Sequence, residues 1–353
     1  MNKKIKVGVI GVGGISECHI QGYLQNPNVE LYAFCDINEE RLKAKGAKYG
    51  ITRLFTNKED MLKLEEIDAV SVCTWNSAHA ECSIAALNAG KHVICEKPMA
   101  MNAQEALEMQ AAAEKSGKLL QIGFVRRFGN DCAILKDFIS KDFFGEIYYA
   151  KATYTRRHGC PGGWFCDKSR SGGGPLIDLG VHVIDLARYL AGCPKPVSVY
   201  GVTYDKLGNR PEIKRNPGEW AASDSGTDVS DVEDFASALI RFDNGLTIAI
   251  EASFDMNLKG ENNIVLLGTK AGATLSPDLK IYTNLNGYMA NVDLDMPTAL
   301  SFDGLFNNEM DHFVDCVING TECLAPAEDG VILMKILTAI YESAKTGHEV
   351  TIQ

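Results

Sequence analysis

Near the start of the chain stands Ile5-Lys6-Val7-Gly8-Val9-Ile10-Gly11-Val12-Gly13-Gly14-Ile15-Ser16. Its first half has the β-branched texture of a buried strand, and from Ile15 the apolar spacing turns helical. A glycine turn at such a strand-to-helix junction is the context that lifts a G-x-G-x-x-G pattern above chance. Gly11 permits the tight turn, Gly13 lets the backbone approach a pyrophosphate, and the helix that follows offers N–H groups to the anion. The third glycine position holds Ser16, small enough to keep the helix close to the strand. Asp36 stands at the end of the next expected strand, about 20 residues beyond the glycines, where a carboxylate can bond ribose hydroxyls. It would repel a 2′-phosphate, so the expected cofactor is NAD, with NADP the lesser candidate because Arg41 could accommodate the phosphate. The plain alternative for Asp36 is a surface turn.

Outward from this stretch, strand-like runs at residues 5–10, 31–35, 69–73, 92–95 and 119–124 alternate with helical runs at 15–25, 39–49, 78–89 and 103–116. That alternation predicts a doubly wound parallel sheet with right-handed crossovers. Beyond 124 the strands lengthen and follow one another without helices, at 147–155, 197–203, 235–242, 246–254 and 263–267. A large, mainly antiparallel open sheet is expected there, with the turn Asp243-Asn244-Gly245 closing a hairpin. Helices are expected at 179–190, 306–317 and 329–343, and residues 205–231 read as a long surface excursion. The expected fold class is therefore α/β, with a Rossmann domain at 1–124 and an α+β domain for substrate and oligomerisation at 125–353.

The chain has 353 residues, enough for two domains that each bury a core. With 46% hydrophobic and 23% charged residues it has no apolar run of membrane-spanning length. Lys3, Lys4 and Lys6 only superficially resemble the start of a secretory signal, since the apolar run after them is broken by glycines. Eleven scattered cysteines predict reduced thiols in the cytoplasm rather than a disulfide framework. A net charge of −11 argues against a nucleic-acid partner. His158, Cys160, Cys166 and Asp167 lack the paired spacing of a zinc site, so no metal is expected.

Two further segments carry chemistry. Cys95-Glu96-Lys97-Pro98 ends a parallel strand, and Cys73-Thr74-Trp75-Asn76-Ser77-Ala78-His79 precedes it. Asp178 and His182 lie four apart at a helix start, after the loop Ser171-Gly172-Gly173-Gly174-Pro175, so their side chains are expected to face the same way. Read alone, Asp178 is a helix cap and His182 a core histidine. Together with the glycine turn, and with Val232-Glu233-Asp234-Phe235, these segments resemble the Gfo/Idh/MocA family, which includes glucose-fructose oxidoreductase and inositol dehydrogenases. The resemblance covers essentially the whole chain.

It implies that Lys97 matches the family's Glu-Lys-Pro lysine, which contacts substrate near the nicotinamide. The expected cofactor contacts are Gly11, Val12, Gly13, Gly14, Ile15, Asp36, Ile37, Cys73, Thr74, Asn76, His79, Glu96 and Lys97. Lys97, Asp178 and His182 are the expected catalytic residues: His182 removes a hydroxyl proton from a sugar or cyclitol alcohol, Lys97 stabilises the charge on its oxygen, and Asp178 orients His182 or holds a neighbouring hydroxyl. Arg127, Tyr154, Arg156 and Trp164 are further expected substrate contacts, with His158 beside them. Two other readings stay open, a redox-neutral glycoside cleavage or epimerisation and a non-catalytic NAD-binding sensor. The proteins it resembles pair their open sheets, which implies a homodimer or homotetramer, and residues such as Leu246, Ile248, Ala249 and Ile250 are compatible with that face.

Overall fold

The structure is a computed structural model that describes residues 4–208, 210, 213, 229–299 and 301–353. Most of the excursion expected at 205–231 lies outside the described residues. In the first stretch, strands β1 (Ile5–Ile10), β2 (Val29–Cys35), β3 (Leu54–Phe55), β4 (Ala69–Val72), β5 (His92–Glu96) and β6 (Leu120–Gly123) alternate with helices. These are α1 (Ser16–Gln25), α2 (Glu39–Tyr49), α3 (Lys58–Leu62), α4 (Asn76–Asn88) and α5 (Ala103–Ser116). A 3₁₀ turn (Val125–Phe128), α6 (Asn130–Ser140), β7 (Ile147–Thr155), a second 3₁₀ turn (Gly163–Cys166) and α7 (Lys168–Ser171) come next. A π turn (Leu176–Gly180) leads into α8 (Val181–Leu190), β8 (Pro196–Tyr204), β9 (Phe235–Phe242), β10 (Thr247–Ser253), β11 (Glu261–Gly268), β12 (Ala271–Thr274), β13 (Lys280–Leu285) and β14 (Tyr288–Val292). The chain closes with α9 (Phe302–Asn319), α10 (Ala327–Thr346) and β15 (Val350–Thr351).

The first six strands form one parallel sheet in the order β3-β2-β1-β4-β5-β6. Their near-continuous apolar runs suit strands covered on both faces. The order reverses between β1 and β4, which is where open α/β sheets bind ligands beyond the strands' carboxyl ends. Asn38, Asn57 and Asn102 accept backbone N–H bonds at the starts of α2, α3 and α5, so polar caps fix where these helices begin.

The chain divides into two units by contact, Met1–Gly129 with Leu300–Val331, and Asn130–Ala299 with Ile332–Gln353. A single cut at 124 does not describe this division. Met310, Phe313 and Val314 of α9 share a core cluster with Ile5, Val7, Tyr23, Val29, Ala69 and Ile94, so the apolar face of α9 returns to the parallel sheet. A late helix can complete an early domain in this way without leaving any local mark in the sequence.

The second unit is built on a nine-stranded sheet in the order β14-β13-β12-β11-β7-β10-β9-β8-β15. Only β7 and β10 run parallel; all other neighbours are antiparallel. The hairpin between β9 and β10 closes at the expected turn, with Gly245 at φ 89° and Phe242 N–H donating to the Leu246 carbonyl. A second Asn-Gly turn, Asn286-Gly287, joins β13 to β14 with both residues at positive φ. Strands β12 to β14 and helix α6 were not anticipated. Among the described residues no helix is long and apolar enough to cross a membrane.

Candidate active site

At the switch point Gly11 adopts φ 82°, and a Cβ there would lie 2.7 Å from the Cys73 carbonyl oxygen and 2.9 Å from Thr74 Cγ2. Cys73 and Thr74 at the end of β4 are thus the wall against which the turn is folded. Around Gly13 and Gly14 the Cβ direction is open, with nothing within 4 Å. No side chain caps α1 at its N-terminus, and Ser16 Oγ donates back to the Gly13 carbonyl at 2.7 Å. Open space beside two glycines, ahead of an uncapped helix end, fits a pyrophosphate. Ile37, expected to touch the cofactor, is 76% exposed just beyond β2.

Asp36 is buried and more heavily engaged than expected. Oδ2 accepts from Val12 N–H (2.8 Å) and Arg41 Nε (3.0 Å), and Oδ1 accepts from Asn38 N–H (2.8 Å) and Arg41 Nη2 (2.7 Å). A carboxylate has about four lone-pair sites, so all are taken. A ribose hydroxyl reaches this carboxylate only by displacing the Arg41 fork.

Lys97 is half-buried at the carboxyl end of β5, and the Lys97–Pro98 peptide is cis. Two buried histidines hold this turn. His79 places Nδ1 2.7 Å from the Pro98 carbonyl oxygen and Nε2 3.1 Å from that of Thr74, so it staples β4's end to the lysine turn. Burial lowers its pKa, against the pull of those carbonyls. His19 bonds the carboxylate of Glu96 at 2.8 Å and Ser71 Oγ at 3.2 Å, and Ser71 in turn meets Tyr23 OH at 2.7 Å. Burial raises the pKa of Glu96, but the bond and charge of His19 outweigh it and the net shift is downward. His79, Glu96 and Cys73 were expected to touch the cofactor, yet their side chains are buried. Their polar atoms are bonded to protein groups, His79 to the Pro98 and Thr74 carbonyls and Glu96 to His19. His19 was missed, although its spacing from Ser16 on α1 was visible.

In the second unit, Asp178 lies within the π turn and His182 in the first turn of α8. Val181 N–H bonds the Leu176 carbonyl, the five-residue spacing that widens a helix and recurs at functional sites. Glu233 caps this wide turn: Oε2 accepts from Gly174 N–H (3.0 Å), and Oε1 accepts from Leu176 N–H (3.2 Å) and Tyr341 OH (2.8 Å). A Cβ on Gly174 would lie 2.2 Å from the Glu233 carbonyl, so only glycine permits the approach. Burial raises the pKa of Glu233 in spite of these donors. Glu233 and Tyr341 were missed as supports of the turn carrying Asp178, though Val232-Glu233-Asp234-Phe235 was in view.

Tyr154 of β7 brings its ring centroid to 6.3 Å from that of His182, and the Arg156 guanidinium lies 5.4 Å over the same tyrosine ring. Arg156 Nη1 also donates to the Gly159 carbonyl at 2.9 Å. Trp164 stacks on Phe165 at 4.0 Å. Arg127, expected to meet substrate, has a side chain 1% exposed, and its Nη1 donates to Asp329 (2.8 Å) and to the Leu324 carbonyl (2.5 Å). It ties the 324–329 segment to the first unit's 3₁₀ turn. His158 turns to Asp255 at 2.5 Å, Asp167 caps α7, and Cys160 and Cys166 bring their sulfurs to 2.8 Å.

A parallel sheet of order 3-2-1-4-5-6, with an open glycine turn at its switch point and a lysine at a neighbouring strand end, defines a dinucleotide-dependent oxidoreductase. The family described as an oxidoreductase family with an NAD-binding Rossmann fold matches residues 5–124, and the GFO/IDH/MocA C-terminal domain matches residues 133–274. The chain belongs to the Gfo/Idh/MocA oxidoreductase family. It is 36% identical to D-glucoside 3-dehydrogenase of Escherichia coli K12 over 350 residues, covering 98% of this chain and 97% of that one. It is 26% identical to scyllo-inositol 2-dehydrogenase (NAD(+)) of Bacillus subtilis, covering 98% and 96%. The crystal structure of an oxidoreductase domain protein from Kribbella flavida is similar at a TM-score of 0.88 and 25% identity, covering 99% and 100%.

Proposed function

We propose that this protein is an NAD-dependent dehydrogenase acting on a secondary ring alcohol of a sugar, cyclitol or glycoside, with glucosides the first substrates to try. The observation that carries the reading is the full-length likeness, at 36% identity, to a glucoside 3-dehydrogenase. Lys97 at the carboxyl edge of the parallel sheet, and Asp178 and His182 on the wide turn entering α8, supply the chemistry the reaction needs.

Bound NAD supplies the hydride acceptor. His182 takes the proton of the substrate hydroxyl as general base. The Lys97 ammonium stabilises the negative charge that develops on that oxygen, and the buried His79 and His19–Glu96 links keep the lysine turn in place. Asp178 orients His182 or holds the adjacent hydroxyl. Tyr154 offers an apolar ring face to the pyranose and Arg156 a donor to its hydroxyls. Preference for NAD over NADP rests on Asp36, whose carboxylate opposes a 2′-phosphate. For assembly we propose a homodimer or homotetramer through the open sheet. Support comes from Tyr200, Leu239, Leu267 and Tyr282, which stand exposed on it, whereas Leu246, Ile248 and Ile250 are buried.

A screen of NAD reduction over glucosides, monosaccharides and inositols tests the reading. Turnover by wild type that is lost in His182→Ala is the expected result. Product formation without net NADH would favour the redox-neutral chemistry, and no turnover with any polyol, together with NAD binding that is lost in Asp36→Ala, would favour a sensor.

A further inference from the structure

Away from the glycine turn, the first unit gathers three metal-ligating side chains. His312 and Cys316 stand four apart on α9, so they share one helix face. Gly320 ends that helix at φ 70° and turns the chain back, bringing Cys323 to the same place. Their ligand atoms, one imidazole nitrogen and two sulfurs, all lie within 4.8 Å of one another, and Cys316 Sγ is 3.3 Å from His312 Nε2. A tetrahedral zinc ion, with bonds of about 2.3 Å to sulfur and 2.0 Å to nitrogen, spaces its ligand atoms by about 3.5–3.8 Å. The cluster needs to tighten only slightly to meet that spacing.

We propose that His312, Cys316 and Cys323 form a binding site for one thiophilic divalent cation of the zinc class, with a fourth position open to water. Two further observations favour it. Leu324 N–H donates to His312 Nε2 at 3.0 Å, so the nitrogen near Cys316 Sγ is the unprotonated one, the tautomer a metal requires, with its lone pair held by an amide that an ion would displace. Leu324 is exposed, and its amide meets water when the ion takes that lone pair. Gln121, fully buried on β6, sets its amide 3.5 Å from Cys323 Sγ, and its Nε2 has no hydrogen-bond partner among the described residues. Turned end for end, that amide donates N–H to the Cys323 thiolate, giving the orphaned donor an acceptor of the kind metal-bound sulfur provides.

The site differs from the closer pair Cys160 and Cys166, whose neighbours His158 and Asp167 are engaged elsewhere and leave two sulfurs without a nitrogen. An ion at His312 would pin the 320–326 return to α9, beside Ala325, whose carbonyl accepts from Ile122 N–H of β6. Its role is thus to brace the edge of the parallel sheet rather than to react.

The test is titration of chelator-treated full-length protein with Co²⁺ and then Zn²⁺, under a non-thiol reductant. The expected result is one equivalent bound per chain, tighter than about 1 μM. Co²⁺ should give a thiolate charge-transfer band and the strong visible bands of a tetrahedral site, both lost in Cys323→Ser and His312→Gln and kept in Cys160→Ser. Zn²⁺ should also shield Cys316 and Cys323 of the wild type from alkylation, a readout independent of how the variants fold. Absence of the band, unchanged binding in Cys323→Ser, no shielding, or isolation of a Cys316–Cys323 disulfide that re-forms in air would each overturn the proposal.

Discussion

The two segments that carry the candidate site residues are built by different means. In the first unit a short link sets the glycine turn, where Val12 meets Asp36 across 24 residues, while the Lys97 turn is held both by His79, 19 residues from Pro98, and by His19, 77 residues from Glu96. In the second unit the turn carrying Asp178 is capped by Glu233, 59 residues from Gly174, and Glu233 is itself held by Tyr341, a further 108 residues on. The glycine turn is therefore held within one strand-turn-helix-strand unit, whereas the turn carrying Asp178 is held by a buried carboxylate from a distant segment. Substitutions on the two sides should fail in different ways.

Removing the proposed reacting groups gives the largest expected effect. Lys97→Ala and His182→Ala should each lower kcat/KM by about 10²–10⁴-fold, as loss of a charge stabiliser or a general base does. NAD affinity measured by cofactor fluorescence should change little in His182→Ala, and a large loss there would break the division between the two halves.

Gly11→Ala comes next, because the residue sits at φ 82° with the Cys73 carbonyl 2.7 Å from the new Cβ. A cost of about 1–3 kcal/mol in stability is expected, together with loss of NAD binding. Calorimetry and cofactor titration on the same sample separate the two.

Glu233→Ala should strike the other half. It leaves the N–H groups of Gly174 and Leu176 without their acceptor, at about 1–3 kcal/mol for buried donors. The drop in kcat should exceed any rise in KM for NAD. Equal effects on both would show that the cap supports the whole chain rather than the catalytic turn.

The smallest effect concerns Glu309, fully buried on α9, with no hydrogen-bond partner for either carboxylate oxygen among the described residues. Burial, and then the Glu96 charge, raise its pKa well above 4.5. The unfolded chain therefore releases this proton first as pH rises past 4.5, and folded stability falls with increasing pH. Glu309→Gln should match wild type near pH 4 and melt at a higher temperature near pH 8, by about 2–4 °C for each kcal/mol gained. An identical gap at both pH values would contradict a neutral buried acid.

The same contrast explains what the sequence could disclose. Gly11, Gly13, Asp36 and Lys97 were legible because the order of strand, turn and helix fixes where such residues go. Within that half the roles of His79 and Glu96 were not legible, since a residue at a strand end or helix start can face a ligand or the core, and both face the core. Arg41's fork on Asp36 was also hidden, because a side chain's choice of partner is not a matter of spacing. In the second unit the positions of Asp178 and His182 were legible but the π turn between Leu176 and Gly180 was not, since it depends on Glu233 and Tyr341 arriving from elsewhere. The return of α9 to the first sheet was hidden for the same reason, as amphipathic spacing says that a face is buried and not against what.

The most direct test of the central claim follows the hydride itself. With a glycoside or polyol found by the screen and deuterated at the oxidised carbon, the account predicts deuterated NADH released in step with oxidised product, at a rate lowered by the heavier isotope. Deuterium found only in the sugar product, with no labelled NADH in solution, would contradict it.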